Sequence, residues 1–187
     1  MNGDPQRLLR RNAAAIQAGF AALWFVRGAL NLGGPSAVAS ALAAIIPLAF
    51  AVAIWKVTGP LPTRQVMQSQ EGRELFRPVT WMTTAQLAAS VALPWWAATG
   101  GYPDWVLASI AITIGVLLVG LARPLGASFV AVVGAAITLV AITLPLVASG
   151  STLAIALCSA LGVLLTSSVV SLWAAAVRPH RIGVAPG

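Results

Sequence analysis

The sequence predicts an all-α polytopic membrane protein: a bundle of six transmembrane helices, built as three helical hairpins, with both termini on the cytoplasmic side. Three observations carry that expectation. Of 187 residues, 59% are apolar and only 8% charged, whereas a soluble domain of this size is about 25% charged. Water is therefore not the solvent for most of this surface. Six stretches are apolar over roughly the 20 residues that a helix needs to cross the hydrocarbon core. Basic residues cluster in alternate gaps between them, as the positive-inside rule requires.

The first span is read at 12–32, after a short cytoplasmic tail over 1–11 that holds Arg7, Arg10 and Arg11. Those arginines and Ala37-Val38-Ala39 resemble a secretory signal and its cleavage site. However, the apolar run of about 20 residues exceeds the ~7–15 of a signal core, so a retained anchor is expected. Gly33-Gly34-Pro35 closes this span, and the second follows at 36–57. The cytoplasmic loop 58–77 opens on Gly59-Pro60-Leu61-Pro62 and then mixes Val66, Met67, Leu75 and Phe76 with Glu71, Arg73 and Glu74. Gly72 interrupts that mixture, so a solvated linker is expected in preference to a helix lying in the interface.

The third span is read at 79–99, closed by Gly100-Gly101-Tyr102-Pro103, and the fourth at 104–122, closed by Arg123-Pro124. The fifth runs over 127–148 and the sixth over 152–177, separated by Ser149-Gly150-Ser151, and a second cytoplasmic tail occupies 178–187. Glycine and proline are the strongest local breakers, and every gap contains one or both. The last two gaps are short enough to make the spans they join antiparallel neighbours. Leu93-Pro94 recurs as Leu144-Pro145 and Arg123-Pro124 as Arg178-Pro179, echoes that low-complexity apolar sequence produces readily.

With six crossings, every Lys and Arg except Arg27 falls on one face: Arg7, Arg10 and Arg11, then Lys56, Arg64, Arg73 and Arg77, then Arg123, then Arg178 and Arg181. That face is expected to be the cytoplasmic side of the cell (plasma) membrane. The tryptophans give the same banding. Trp55, Trp81 and Trp173 lie at the cytoplasmic ends of spans, and Trp95, Trp96 and Trp105 at the outer ends, where amphipathic rings are stable at headgroup level.

Arg27 is the charged side chain set inside an apolar run, at a cost of about 2.5–3.5 kcal/mol for a span centre. It lies roughly 22 Å along a helix begun at Asn12, at ~1.5 Å per residue, so snorkelling to the outer headgroups competes with a functional role. Phe20, Trp24, Arg27 and Asn31 share one helix face. Trp24 offers a cation–π contact, Asn31 a hydrogen bond, and Asp104 a counter-ion at the outer start of the fourth span. Left unpaired, the guanidinium fork suits an anion or a lipid phosphate. Arg27, Asn31, Trp24, Gln86 and Asp104 form the candidate ligand-binding set.

What the chain lacks narrows the chemistry. One histidine, His180, and one cysteine, Cys158, leave no metal-ligand cluster and no disulfide framework. No catalytic signature or cofactor motif is present, and no enzyme activity is expected. No Asp or Glu is expected inside the membrane, Asp104 standing at the outer edge of its span, so the carboxylate relays of proton-driven pumps are missing. The charge of +7 is spread over span ends, which suits anionic lipid headgroups rather than nucleic acid. Small residues at Ala14/Ala18/Ala22, Cys158/Gly162 and Ser167/Ser171 allow close helix approach. The expected partners are the lipid bilayer and, through Ala14, Ala18 and Ala22, a protein partner or a second copy.

The expected function is that of a small integral membrane transport component, a passive facilitator or the substrate-binding membrane subunit of a larger transporter, with an anion or polar-ligand site near Arg27. Size, topology and the Ala14/Ala18/Ala22 ladder are similar to the substrate-binding subunits of energy-coupling-factor vitamin transporters. The first outer turn, Gly33-Gly34-Pro35, is far shorter than that family's ligand-covering loop. The competing expectation is a non-catalytic accessory or assembly protein that holds a partner through small-residue helix faces. A water-accessible cavity in the outer half lined by Arg27, Asn31, Trp24 and Gln86 would favour transport, and a solid bundle with a flat, small-residue outer face would favour the accessory role.

Overall fold

The structure, a computed structural model, describes residues 5–59 and 63–177. Among them every regular element is helical: α1 (Pro5–Ala29), α2 (Gly34–Ala43), α3 (Ile45–Thr58), α4 (Thr63–Gln68), α5 (Gln70–Thr99), α6 (Asp104–Leu125), α7 (Ser128–Val147) and α8 (Gly150–Val177). Four stretches are long and apolar enough to cross a membrane: Gly34–Thr58 (α2 and α3 taken together), α6, α7 and α8. The chain is an all-helical membrane protein. At 25 and 30 residues, α1 and α5 are as long as these. Their apolar character is diluted by Gln17 and Arg27 in α1, and by Thr80, Thr83, Thr84, Gln86 and Ser90 in α5.

Three element boundaries differ from the sequence expectation, each for a local reason. Helix α1 is already formed at Pro5, the first described residue, rather than starting at 12, because Arg7, Arg10 and Arg11 are good helix formers. The expected second span is broken at Ala44 between α2 and α3. Pro47 lacks an N–H and its ring crowds the carbonyl four residues back, which is Ala43, the last residue of α2. The segment expected as a solvated linker is helical instead. Ser69 caps α5 by accepting from the Gly72 N–H at 3.0 Å, and Glu71 in the first turn complements the helix dipole. Gly72 is no weak point there: a Cβ would run into the Val66 carbonyl oxygen, so the corner between α4 and α5 requires glycine.

Two close helix pairs hold the bundle together. At the α6–α7 crossing, a Cβ on Gly134 would lie 2.5 Å from the Gly115 carbonyl oxygen and 2.8 Å from the Val119 nitrogen. Backbone meets backbone. In the α1–α8 pair, the Phe25 ring covers Gly162, and Gly28 lies against Cys158. The register therefore runs antiparallel. Leu125, Ile137, Leu157, Leu161, Leu165 and Leu172 are at most 1% exposed and fill the middle of the bundle.

Ala14 and Ala18 are fully buried inside this core, and Ala22 is half-buried. The ladder expected to receive a partner is used within the chain, because α1 needs small residues to sit close to its own neighbours. By contrast, α5 lies at the edge of the bundle. It packs chiefly on α6, and of its 30 residues only Gly72 and Ala97 are buried.

Candidate functional site

The sequence-derived residues do not converge. Arg27 lies in the last turn of α1 and is exposed, and its guanidinium makes no hydrogen bond or ion pair to another described residue. The Asn31 side chain donates through Nδ2 to the Arg27 carbonyl oxygen at 2.9 Å, capping the end of α1 rather than pairing with the guanidinium. Trp24 is buried at 7% exposure and makes no ring contact with Arg27. The counter-ion expectation fails for Asp104. Its Oδ1 accepts from the Gly150 N–H at 3.1 Å, tying the start of α6 to the start of α8, because an unsatisfied helix N-terminus lies closer than the arginine does. Gln86 is on α5, in a different place altogether.

Around Gln86 the structure builds a groove. It measures about 430 Å³ and runs between α5 and α6, lined by Met82, Ala85, Ala89, Leu93, Val116 and Leu117 among others. One row of polar atoms crosses this apolar wall. Thr113 Oγ1 donates to the Ile110 carbonyl oxygen at 2.7 Å, which commits the Ser90 hydroxyl to donate to Thr113 Oγ1 at 2.9 Å. Gln86 Nε2 then donates to Ser90 Oγ at 3.4 Å. The chain has a direction, and it ends on the Gln86 amide, whose carbonyl oxygen and second N–H have no partner among the described residues. In hydrocarbon such groups are stable only when something bonds them.

A second groove of about 680 Å³ is lined by Phe25, Ile46, Phe129, Val163, Thr166 and Ser167 among others. Its hydroxyls are spent on their own helix, Thr166 on the Gly162 carbonyl and Ser167 on that of Leu164, both at 2.7 Å. What it presents is an apolar surface. Neither groove is lined by Arg27, Trp24 or Asn31. Among the described residues, no three His, Cys, Asp or Glu side chains gather as a metal site would require; His180 lies outside the described residues.

Set against known proteins, the chain matches no family model, no curated protein and no solved structure. Its own geometry carries the functional reading.

Sequence reasoning missed the role of the first three arginines. They project from the first turns of α1 onto the C-termini of two other helices. Arg7 donates through Nη2 to the Val57 carbonyl oxygen at 3.1 Å, and Arg11 through Nη1 to that of Gly59 at 3.3 Å, at the end of α3. Arg10 donates through Nε to the Leu125 carbonyl oxygen at 2.7 Å and through Nη2 to that of Gly126 at 3.4 Å, at the end of α6. Gln6 adds a bond to the Pro124 carbonyl oxygen at 3.4 Å. The last carbonyls of a helix have no intrahelical donor and carry the negative end of the dipole, so cationic donors suit them twice over. Arg11 is only 6% exposed, and its guanidinium carbon stands 4.2 Å from the centroid of the Trp55 ring. That is the cation–π pair expected of Arg27 and Trp24, realised at the other end of α1. The available signal was the spacing of Arg7, Arg10 and Arg11 at i, i+3 and i+4, which groups side chains once the helix is seen to start at Pro5.

Proposed function

We propose that the chain is a six-span integral membrane protein of the plasma membrane, both termini cytoplasmic, that serves as a non-catalytic accessory or assembly subunit and receives a partner helix along α5. The observation that carries this reading is the Gln86–Ser90–Thr113 row, which starts on the edge helix α5, with almost no buried residue, and ends on α6. Polar side chains on a membrane helix are stable against protein rather than lipid, where hydrogen bonds across helices replace lost hydration. A solid leucine-filled middle and an Arg27 that lines neither groove argue in the same direction. Six crossings are supported by the lengths of α1 and α5 and by the gathering of Arg7, Arg10 and Arg11 with the C-termini of α3 and α6 at one end.

The test is a photo-crosslinking residue at Ala85 or Ala88, with a matched position at Val163 on the second groove. A discrete protein adduct from α5, weakened by Gln86→Leu, is the expected result. Lipid adducts alone from all three positions contradict the accessory role.

Transport remains the second reading, favoured by one feature: a groove with an apolar wall and a polar row fits an amphiphile that enters sideways from the bilayer. Under that reading, Gln86→Leu abolishes uptake of such a compound while leaving expression intact, and no protein adduct forms at Ala85.

A further inference from the structure

The groove lined by Phe25, Ile46, Phe129 and Val163 has a depth and an open end that single out its occupant. Val163 and Ile46 stand at the midpoints of α8 and of the Gly34–Thr58 stretch. At the other limit of the lining, Ala174 lies in the last turn of α8 and Phe129 in the first turn of α7. From Val163 to Ala174 the rise is roughly 16 Å, about half of a ~30 Å hydrocarbon core. The groove is therefore one leaflet deep. A partner helix needs a path across the whole bilayer, whereas an acyl chain needs only one leaflet. Ile46, Phe129 and Val163 are exposed, so the groove lies open to the bilayer and a lipid enters it without moving a helix.

At its shallow end the groove changes character. Phe129, Ser171 and Ala174 also line an adjoining, more polar cavity of about 340 Å³, which continues over Gly126, Ala127 and Ser128 at the turn between α6 and α7. Ser128 is exposed, and neither its hydroxyl nor its N–H has a partner among the described residues. Arg10 flanks the same turn. Its Nε and Nη2 donate to the Leu125 and Gly126 carbonyls, which leaves the two N–H groups of Nη1 uncommitted among the described residues. Arg123, exposed three residues before Gly126, adds a second positive charge. The carboxylates described at this end of the bundle, Glu71 and Glu74, belong to α5, which packs chiefly on α6.

We propose that this groove binds one anionic phospholipid of the leaflet at the arginine end. An acyl chain lies along Phe129, Val163 and Val170, and the phosphate sits at the Gly126–Ser128 turn that Arg10 flanks. The match is one of shape and of charge. The apolar slot has the depth of a single leaflet, and its mouth offers hydrogen-bond donors and positive charge, which suit a phosphate and favour anionic over zwitterionic headgroups. The hydroxyls deeper in the slot are spent on their own helix, so nothing there competes with hydrocarbon.

The test places the full-length protein in phosphatidylcholine vesicles doped with a phosphatidylglycerol that carries a diazirine on one acyl chain. A parallel set carries the matching phosphatidylcholine probe, and adducts are mapped by mass spectrometry after illumination. Phosphatidylglycerol label on residues 163–174 is expected several-fold above that of the phosphatidylcholine probe. It should also exceed, several-fold, the label on Leu139, exposed near the middle of α7 and outside both grooves. Ser128→Asp should cut the phosphatidylglycerol label several-fold and leave the phosphatidylcholine label unchanged. An acid in the first turn of a helix suits its dipole, so this variant keeps the fold. Ala174→Phe, which fills the slot, should remove most of the label from both probes. Equal labelling by the two probes overturns the anionic site, as does a Ser128→Asp that labels like the parent. Lipid label on residues 163–174 no higher than on Leu139 overturns the lipid site altogether and assigns the groove to a protein occupant such as a second copy.

Discussion

The guanidinium of Arg10 reaches the Leu125 carbonyl at 2.7 Å, while that of Arg27, on the same helix, is exposed and bonded to no described residue. The two substitutions should therefore separate cleanly. Arg10→Ala is expected to lower stability by about 1–2 kcal/mol, toward the low end for hydrogen bonds to charged groups because the side chain is half-exposed. Arg27→Ala should stay within about 0.5 kcal/mol, as surface changes away from special features do. Thermal unfolding of the purified variants in one detergent measures both, and equal losses would remove the distinction drawn between them. Sequence singled out Arg27 because an arginine in an apolar run is visible in one dimension. Arg10 and Arg11 were hidden because their partners, the carbonyls of α6 and α3, are 115 and 48 residues away, and no local pattern announces a helix end brought near in space.

At the level of elements, the apolar runs were legible and their edges were not. Spans read at 104–122, 127–148 and 152–177 correspond to α6, α7 and α8 within a few residues, because Gly126 and Gly150 take positive φ values of 59° and 58° that side-chain-bearing residues avoid. The start of α5 was missed for the opposite reason. Gly72 reads as a helix breaker, yet it is there because α4 folds back against it. Gly134 went unnoticed too, since a glycine inside an apolar helix shows its purpose only when another backbone lies across it. Two glycine substitutions test this account of packing. Gly134→Ala should destabilise by about 1–3 kcal/mol, the cost of overpacking a close contact. Gly19→Ala, where a Cβ meets nothing within 4 Å, should stabilise by about 0.5–1 kcal/mol through helix propensity. Thermal unfolding again reads both, and stabilisation by the two alike would show that helix propensity, not the α6–α7 contact, decides.

For the whole molecule, a membrane protein was readable from composition, since so few charges cannot cover a water-soluble surface, and its helical class from apolar runs of about 20 residues. The candidate site was only partly readable. Gln86 was visible in the sequence as a polar residue inside a span, but its contacts with Ser90 and, through it, Thr113 became visible only when α5 and α6 were laid side by side. The arrangement of ends has a direct consequence for topology. The arginines of α1 join the C-termini of α3 and α6 at one end, and Asp104 joins the start of α8 at the other.

That arrangement can be read out with single cysteines in a Cys158→Ala background, labelled on intact cells with a membrane-impermeant maleimide. Six crossings predict that Gly33→Cys, Gly101→Cys and Ser149→Cys react from outside, while Gln68→Cys and Gly126→Cys react only after the membrane is opened. Reaction of Gly33→Cys and Gln68→Cys from the same side would contradict the account.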